Sequence, residues 1–452
     1  MGATRGLLDF VARSEIEGFP EEVIEMSKKC LLDWIGVTLG GAQEAAARAI
    51  LDLVREAGGE KQATLLAIGM RTSVLNAALA NGTMAHALDY DDANSVVRAH
   101  ISAPLIAALL PLAEYKGRTG RDFITALVMG FEASTRIGLA LGKEYYGAGW
   151  HATAILGRLG AAAAVGKLMK LGSDQFAAAM GIAATQAGGI RDVFGTMTKP
   201  FHAGKAAADG ILAAMLAQRG FTAPMDILDE GSGFSRVFSP TYRSKLLIEN
   251  LGKTYGILNN SFKPYAACLL VHPVIDGLIL LRKQYPFEAK EIERIGIEVA
   301  PLNLEVAGNV QPRSGLEGKF SLYFAAALAL LFGHAGNSLF SDKMIADPEV
   351  RSQMEKVAAT GNPSLGETEA KITVKLKDGR VHATQVASPK GDPRNPLSFA
   401  EIEEKFADLA STVLPEDRIE KIIGLVRQLE DLKEMSTLVS LCCKKAEDET
   451  DG

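Results

Sequence analysis

The chain has 452 residues, a formal net charge of −6, 48% hydrophobic and 23% charged residues. That length exceeds what one hydrophobic core serves, so about two domains of the usual ~100–200 residues are expected. The acidic balance leaves no basic stripe, and neither Trp34 nor Trp150 sits in an aromatic-and-arginine platform, so no nucleic-acid partner is expected. Cys30, Cys268, Cys442 and Cys443 show no Cys-x-x-Cys spacing and are too sparse for a disulfide scaffold, so a cytoplasmic location is expected.

From the N-terminus, MGATRGLLDFVARSEIEGFPEEV meets Asp9, Glu15 and Glu17 before any long apolar run, unlike a signal peptide, and Gly6 stands where a myristoylation signal wants Ser or Thr. Residues 1 to about 260 carry helical periodicity almost throughout. Within them HATAILGRLGAAAAVGKLMKLG (151–172) and GKAAADGILAAMLAQRG (204–220) place Ala and Gly at helical spacing, which predicts helices in close, deep contact. From Ile292 the texture changes: ERIGIEVAP alternates like a strand, and AKITVKLKDGRVHATQVAS reads as two strands joined at Asp378-Gly379. FSLYFAAALALLFG (320–333) is a helical run inside this second region; its apolar stretch Phe324–Phe332 stops short of the ~20 residues that span a bilayer, and no membrane association is expected. KGDPRNPLS (390–398), with breakers Gly391, Pro393 and Pro396, predicts a linker or hinge. The helical segment FAEIEEKFADLASTVLPEDRIEKIIGLVRQLEDL then returns to the first region, and the tail KKAEDETDG is expected to fray.

The densest chemistry lies in NGTMAHALDYDDANSVVRAH (81–100), where two histidines and three carboxylates crowd into a small, apolar stretch. His86 and Asp89, three apart, share a face if the segment is helical, and Asp89, Asp91 and Asp92 repel one another unless cations or protons offset them. The ligand types permit a metal site, but the fixed Gly and final Glu of a calcium loop and a His-Glu-x-x-His helix are both missing; a structural ion network is the other alternative. Gly160–Lys167 mimics a phosphate loop with five residues instead of four between its glycines and Leu168 in place of Ser or Thr, so it reads as helix. No Gly-x-Gly-x-x-Gly follows a strand and no Gly-x-Ser-x-Gly elbow exists. Lone cations recur beside Gly or Pro: His151 in GAGWHAT, Lys199 and His202 in GTMTKPFHAGKAA, Lys263 and His272 in SFKPYAACLLVHP.

With these blocks in order, from LLDWIGVTLGG (31–41) through NGTMAHALDYDD, GWHATAILG, TKPFHAGKAAADGILAAMLAQRGF and FKPYAACLLVHPVIDG to LKDGRVHATQVASPKGDPRNPLS, the chain resembles the MmgE/PrpD family nearly end to end. That family includes 2-methylcitrate dehydratase, cis-aconitate decarboxylase and iminodisuccinate epimerase. The resemblance implies a mainly α fold: a large all-helical domain from both chain ends (1–265 and 395–452), a smaller α+β lid (266–394), a homodimer, and an active site between the domains. It places pocket residues at Asp89, His100, His151, Lys199 and Lys263, with Tyr146 a further candidate proton donor.

Substrates of this family carry two or three carboxylates, so Lys199 and Lys263 are expected to clamp them electrostatically while His151 or His100 serves as acid or base and Asp89 orients an imidazole or takes part itself. Neither metal nor cofactor is expected. Where dehydratase and decarboxylase members continue the aspartate motif with Thr-Trp, this chain has Ala93-Asn94, and Ile101 replaces a usual Pro, which weakens transfer of 2-methylcitrate or cis-aconitate as substrate. The leading expectation is a cofactor-independent lyase of the 2-methylcitrate-dehydratase type on a small di- or tricarboxylate; the alternatives are an epimerase of an iminodisuccinate-like acid and a non-catalytic polyacid-binding dimer.

Overall fold

The computed structural model describes residues 2–444; past Lys444 the expected frayed tail lies outside the described residues. Long helices form the larger body: Glu21–Gly41, Val74–Ala87, Ser102–Lys116, Gly120–Leu141, Ala152–Leu168 and Thr198–Gln218. Its apolar core joins side chains from Leu7 to Phe262 with others from Leu397 to Cys442. The returning helix Phe399–Ala410 packs on Glu21–Gly41, as the sequence predicted.

Small residues set how closely these helices meet. A Cβ on Gly204 would stand 2.0 Å from the Leu79 carbonyl oxygen, and one on Gly82 would stand 2.7 Å from the Gly204 Cα. Helices Val74–Ala87 and Thr198–Gln218 therefore touch backbone to backbone, and the seam that begins at Leu79–Gly204 ends by bringing Lys199 to Asp89. Gly160–Lys167 lies wholly inside the helix Ala152–Leu168, as expected of a false phosphate loop. Helix Gly120–Leu141, which the sequence reading did not single out, is long and apolar enough to cross a membrane by length and composition. Its apolar window is 94% buried inside the fold, and it carries a buried Arg136–Glu132 pair at 2.6 Å, so it serves here as a core helix.

The larger body is not wholly helical. Two-residue strands β1 (Ala63–Thr64) and β2 (Arg71–Thr72) pair antiparallel, and β3 (Ala93–Asn94) pairs with β4 (Asn260–Ser261). Such short pairs carry too little alternation to show in a sequence otherwise dominated by helical spacing. The second of them ties the aspartate segment to the stretch that ends in Lys263.

The smaller region holds a four-stranded sheet of β5 (Ile292–Val299), β6 (Val357–Gly361), β7 (Ala370–Leu376) and β8 (Val381–Val386) in the order β6-β5-β7-β8. β5 runs parallel to β6 and antiparallel to β7, and β7–β8 is the hairpin predicted at Asp378-Gly379. Ile372, Val374 and Leu376 alternate inward from β7 under the helix His272–Gln284. This core includes Val37, Leu88, Tyr90 and Leu409 of the helical body, so the two regions share a continuous apolar seam beside the aspartates. The segment predicted to be a hinge is instead a tied turn. The Phe262 N–H donates to the Gly391 carbonyl, and a Cβ at Gly391 would fall 1.9 Å from the Phe262 carbonyl oxygen.

Candidate active site

Helix Val74–Ala87 stops before the aspartates, and Asp89 adopts left-handed backbone at φ 50°, a conformation Asp tolerates better than most residues. Because the helix ends at Ala87, the condition under which His86 and Asp89 would share a face is not met: the His86 Nδ1 faces Asp91 at 2.9 Å, while Asp89 turns toward the lysines. His100 stands two residues before helix Ser102–Lys116, His151 is the residue before Ala152–Leu168, and Lys199 lies in the first turn of Thr198–Gln218. Three helix N-termini, each with a partial positive charge, thus converge on one place.

At its centre the Asp89 Oδ1 accepts from Lys199 Nζ at 2.5 Å and from Lys263 Nζ at 3.1 Å, and Lys263 also donates to the Asp89 carbonyl at 2.8 Å. Burial would raise the Asp89 carboxyl, but the Lys199 and Lys263 ammonium groups hold it well below the usual carboxylate range. Asp89 is therefore an anion. Lys263 is 0% exposed and its bonds all go to Asp89, so it props that carboxylate from behind instead of facing the cavity as the expected clamp. Lys319, which sequence reasoning passed over, donates to the Leu88 carbonyl, and burial lowers it to about 8. The signal was there: Lys319 is one more lone cation beside Gly, ahead of an apolar run.

A second carboxylate, Asp91, organises the histidines. It accepts from His86 Nδ1 at 2.9 Å and lies 3.1 Å from His100 Nδ1; burial would raise it, but His100 and His86 hold it well below its ordinary value. The His100 Nδ1 also faces the Asp92 carbonyl at 2.8 Å. With acceptors on both sides Nδ1 carries the proton, so in the neutral ring Nε2 is a bare lone pair, 4.0 Å from the Asp89 Oδ1. Burial lowers His86 to about 4, although Asp91 opposes it, and burial with Lys199 keeps His151 neutral. The His151 Nδ1 shares a proton with His202 Nδ1 at 2.9 Å. Asp92 points the other way: burial and Asp33 raise it to about 8, leaving a neutral acid that accepts from Ser102. His272 is buried with Nε2 on the Ala267 carbonyl at 3.2 Å, and it does not line the cavity.

Asp89, His100, Tyr146, His151 and Lys199 line a cavity of about 90 Å³ at the seam between the helical body and the smaller region, and Lys263 does not. Tyr146 packs beneath Arg191, whose guanidinium is 4.4 Å from the ring centroid, and burial raises its hydroxyl to about 12, so it stays protonated. Arg98, also in left-handed backbone, pairs across the seam with Glu367 at 3.0 Å; no sequence pattern marked Glu367. Ligand atoms of His86, Asp89, Asp91 and His100 all lie within 4.8 Å of one another, so the metal alternative has a geometric basis. Asp89 Oδ1 is taken by two ammonium groups, while Asp89 Oδ2 and His86 Nε2 have no hydrogen-bond partner among the described residues; a dication there would be repelled by Lys199 and Lys263, both within 3.1 Å of Asp89.

Residues 5–246 match the MmgE/PrpD N-terminal domain and residues 265–431 the MmgE/PrpD C-terminal domain. The chain is 29% identical to the cis-aconitate decarboxylase-like protein oryM of Aspergillus oryzae, over 97% of this chain and 96% of that protein. It is 27% identical to a cis-aconitate decarboxylase of Aspergillus terreus with the same coverage, and 30% identical to the human cis-aconitate decarboxylase over 93% of this chain and 90% of that protein. Two domain matches in order, and relatives aligned over almost their whole length, place this chain in the MmgE/PrpD family.

Proposed function

We propose that this protein is a lyase of the dehydratase or decarboxylase type that acts on a small di- or tricarboxylate by proton transfer at carbon next to a carboxylate, without a cofactor. The observation that carries the reading is the setting of His100: its Nδ1 faces the Asp91 carboxylate and the Asp92 carbonyl, two acceptors that favour the proton there and leave Nε2 bare, and His100 lines the same cavity as Lys199. That pairing suits one step. His100 Nε2 takes the proton, the electron pair left on carbon spreads into the adjacent carboxylate, and Lys199 stabilises the developing charge. In a dehydration the pair then forms the alkene as the C–O bond breaks, and Tyr146, kept protonated by burial, supplies the proton with which hydroxide leaves as water. The decarboxylase names of the relatives support a lyase over other reaction types. The proposal includes the homodimer implied by the family, which sedimentation would report as twice the chain mass.

Incubation in heavy water with a panel of polycarboxylates, followed by NMR, tests it. A new alkene signal or release of carbon dioxide is the expected result. Solvent label entering recovered substrate together with inversion of configuration assigns an epimerase instead. If the parent turns over none of the acids, yet Lys199→Ala weakens their binding, the protein is a binder and the lyase reading is wrong.

A further inference from the structure

The cavity holds less positive charge than a tricarboxylate needs. Among the described residues the lysine and arginine side chains that line it are Lys199 and Arg98, and both are already paired, with Asp89 at 2.5 Å and with Glu367 at 3.0 Å. Since Asp89 and Glu367 line the cavity too, the formal charges on its wall cancel, and His151 is held neutral by burial and Lys199. The surplus comes from Lys263 and Lys319, which stand behind Asp89 and Leu88. Two substrate carboxylates can share Lys199 and Arg98 with their resident partners, one at each, whereas a third in this buried space would face no further cation on the wall.

The rest of the wall is apolar. Leu269, Leu270, Leu302 and Val306 come from the smaller region, and Phe194 and Phe320 close the Lys199 end. The four aliphatic side chains are only partly buried, so they present apolar surface to the cavity that no side chain covers. Leu302 and Val306 are one helical turn apart on Pro301–Ala307 and offer one continuous strip. Ala93, where the family's aspartate motif continues with a hydroxyl-bearing Thr, is buried at 6% exposure on the same wall, so a hydrogen-bond partner for a polar substrate group is replaced by a methyl.

We infer that the substrate carries no more than two carboxylates, one of them seated at Lys199 with its adjacent carbon facing His100, together with an alkyl or alkenyl branch lodged against the Leu269–Leu302–Val306 wall. This rests on the carboxylate-lyase reading and narrows it. Binding of succinate, propylsuccinate and tricarballylate to the full chain, measured by calorimetry, decides the matter. A methylene moved from water to an apolar wall is worth about fourfold in affinity, so propylsuccinate is expected to bind at least about tenfold tighter than succinate, and tricarballylate no tighter than succinate. Val306→Thr, which keeps the size and adds no charge, is expected to lower the ratio of propylsuccinate to succinate affinity several-fold. If tricarballylate binds tightest, the inference falls and the polycarboxylate lyase stands; if none of the three binds, the carboxylate reading falls with it.

Discussion

Replacing Asp89 with Asn removes the one carboxylate shared by two buried ammonium groups, 2.5 and 3.1 Å from its Oδ1, at a residue only 3% exposed. Breaking a buried ion pair by deleting one partner costs about 3–5 kcal/mol. There is a ceiling, because an ammonium left unpaired can shed its proton: carrying a lysine from its ordinary value of about 10.4 down to pH 7 corresponds to about 4.6 kcal/mol. Both routes give a loss of about 3–5 kcal/mol, but the second carries a sign. The folded variant would hold fewer protons than its unfolded chain, so its stability rises with pH and the deficit narrows between pH 7 and pH 9. Urea unfolding of parent and variant at both values measures this. A deficit below about 1 kcal/mol at pH 7, or one that stays the same at pH 9, would refute the argument that Asp89 is held as an anion by two charged lysines.

Burial keeps His86 and His202 neutral down to about 4 and His272 down to about 3. Their unfolded forms take up protons below about 6.5, so their stabilisation is complete above that pH and is lost toward 4 at about 1.4 kcal/mol per pH unit for each ring. Asp92, whose buried carboxyl keeps its proton up to about 8, opposes the trend by one proton, so thermal unfolding is expected at a lower temperature at pH 5 than at pH 7; the reverse order would contradict the neutral, buried rings. Asp91→Asn takes away the carboxylate that serves both His86 and His100, and kcat is expected to fall about 10²-fold or more with KM little changed, since a fixed tautomer and not substrate binding is lost. Gly204→Ala forces a methyl to within 2.0 Å of the Leu79 carbonyl oxygen and is expected to cost about 1–3 kcal/mol or more, visible as a lower unfolding midpoint.

Much of this was legible in the sequence because it rests on period and composition. The small-residue helices announced the close seam at Gly82 and Gly204, and Asp378-Gly379 announced the β7–β8 hairpin. Asp89, His100, Tyr146, His151 and Lys199 do meet at one cavity. What period could not reveal was the left-handed turn at Asp89, which frees His86 to pair with Asp91, because a single backbone reversal leaves no repeat. Nor could it tell Lys263 from Lys199: both precede Pro, yet β3–β4 pairing buries one behind Asp89 while a helix N-terminus aims the other at the cavity. Glu367 reaches Arg98 only through the packing of the two regions, a long-range contact that no local pattern carries.

A crystal structure with propylsuccinate bound tests the central claim most directly. The account predicts one carboxylate within about 3 Å of Lys199 Nζ, the adjacent carbon within about 3.5 Å of His100 Nε2, and His100 Nδ1 still on Asp91 and Asp92. Carboxylates bound away from Lys199, or a reacting carbon beyond the reach of His100, would contradict it.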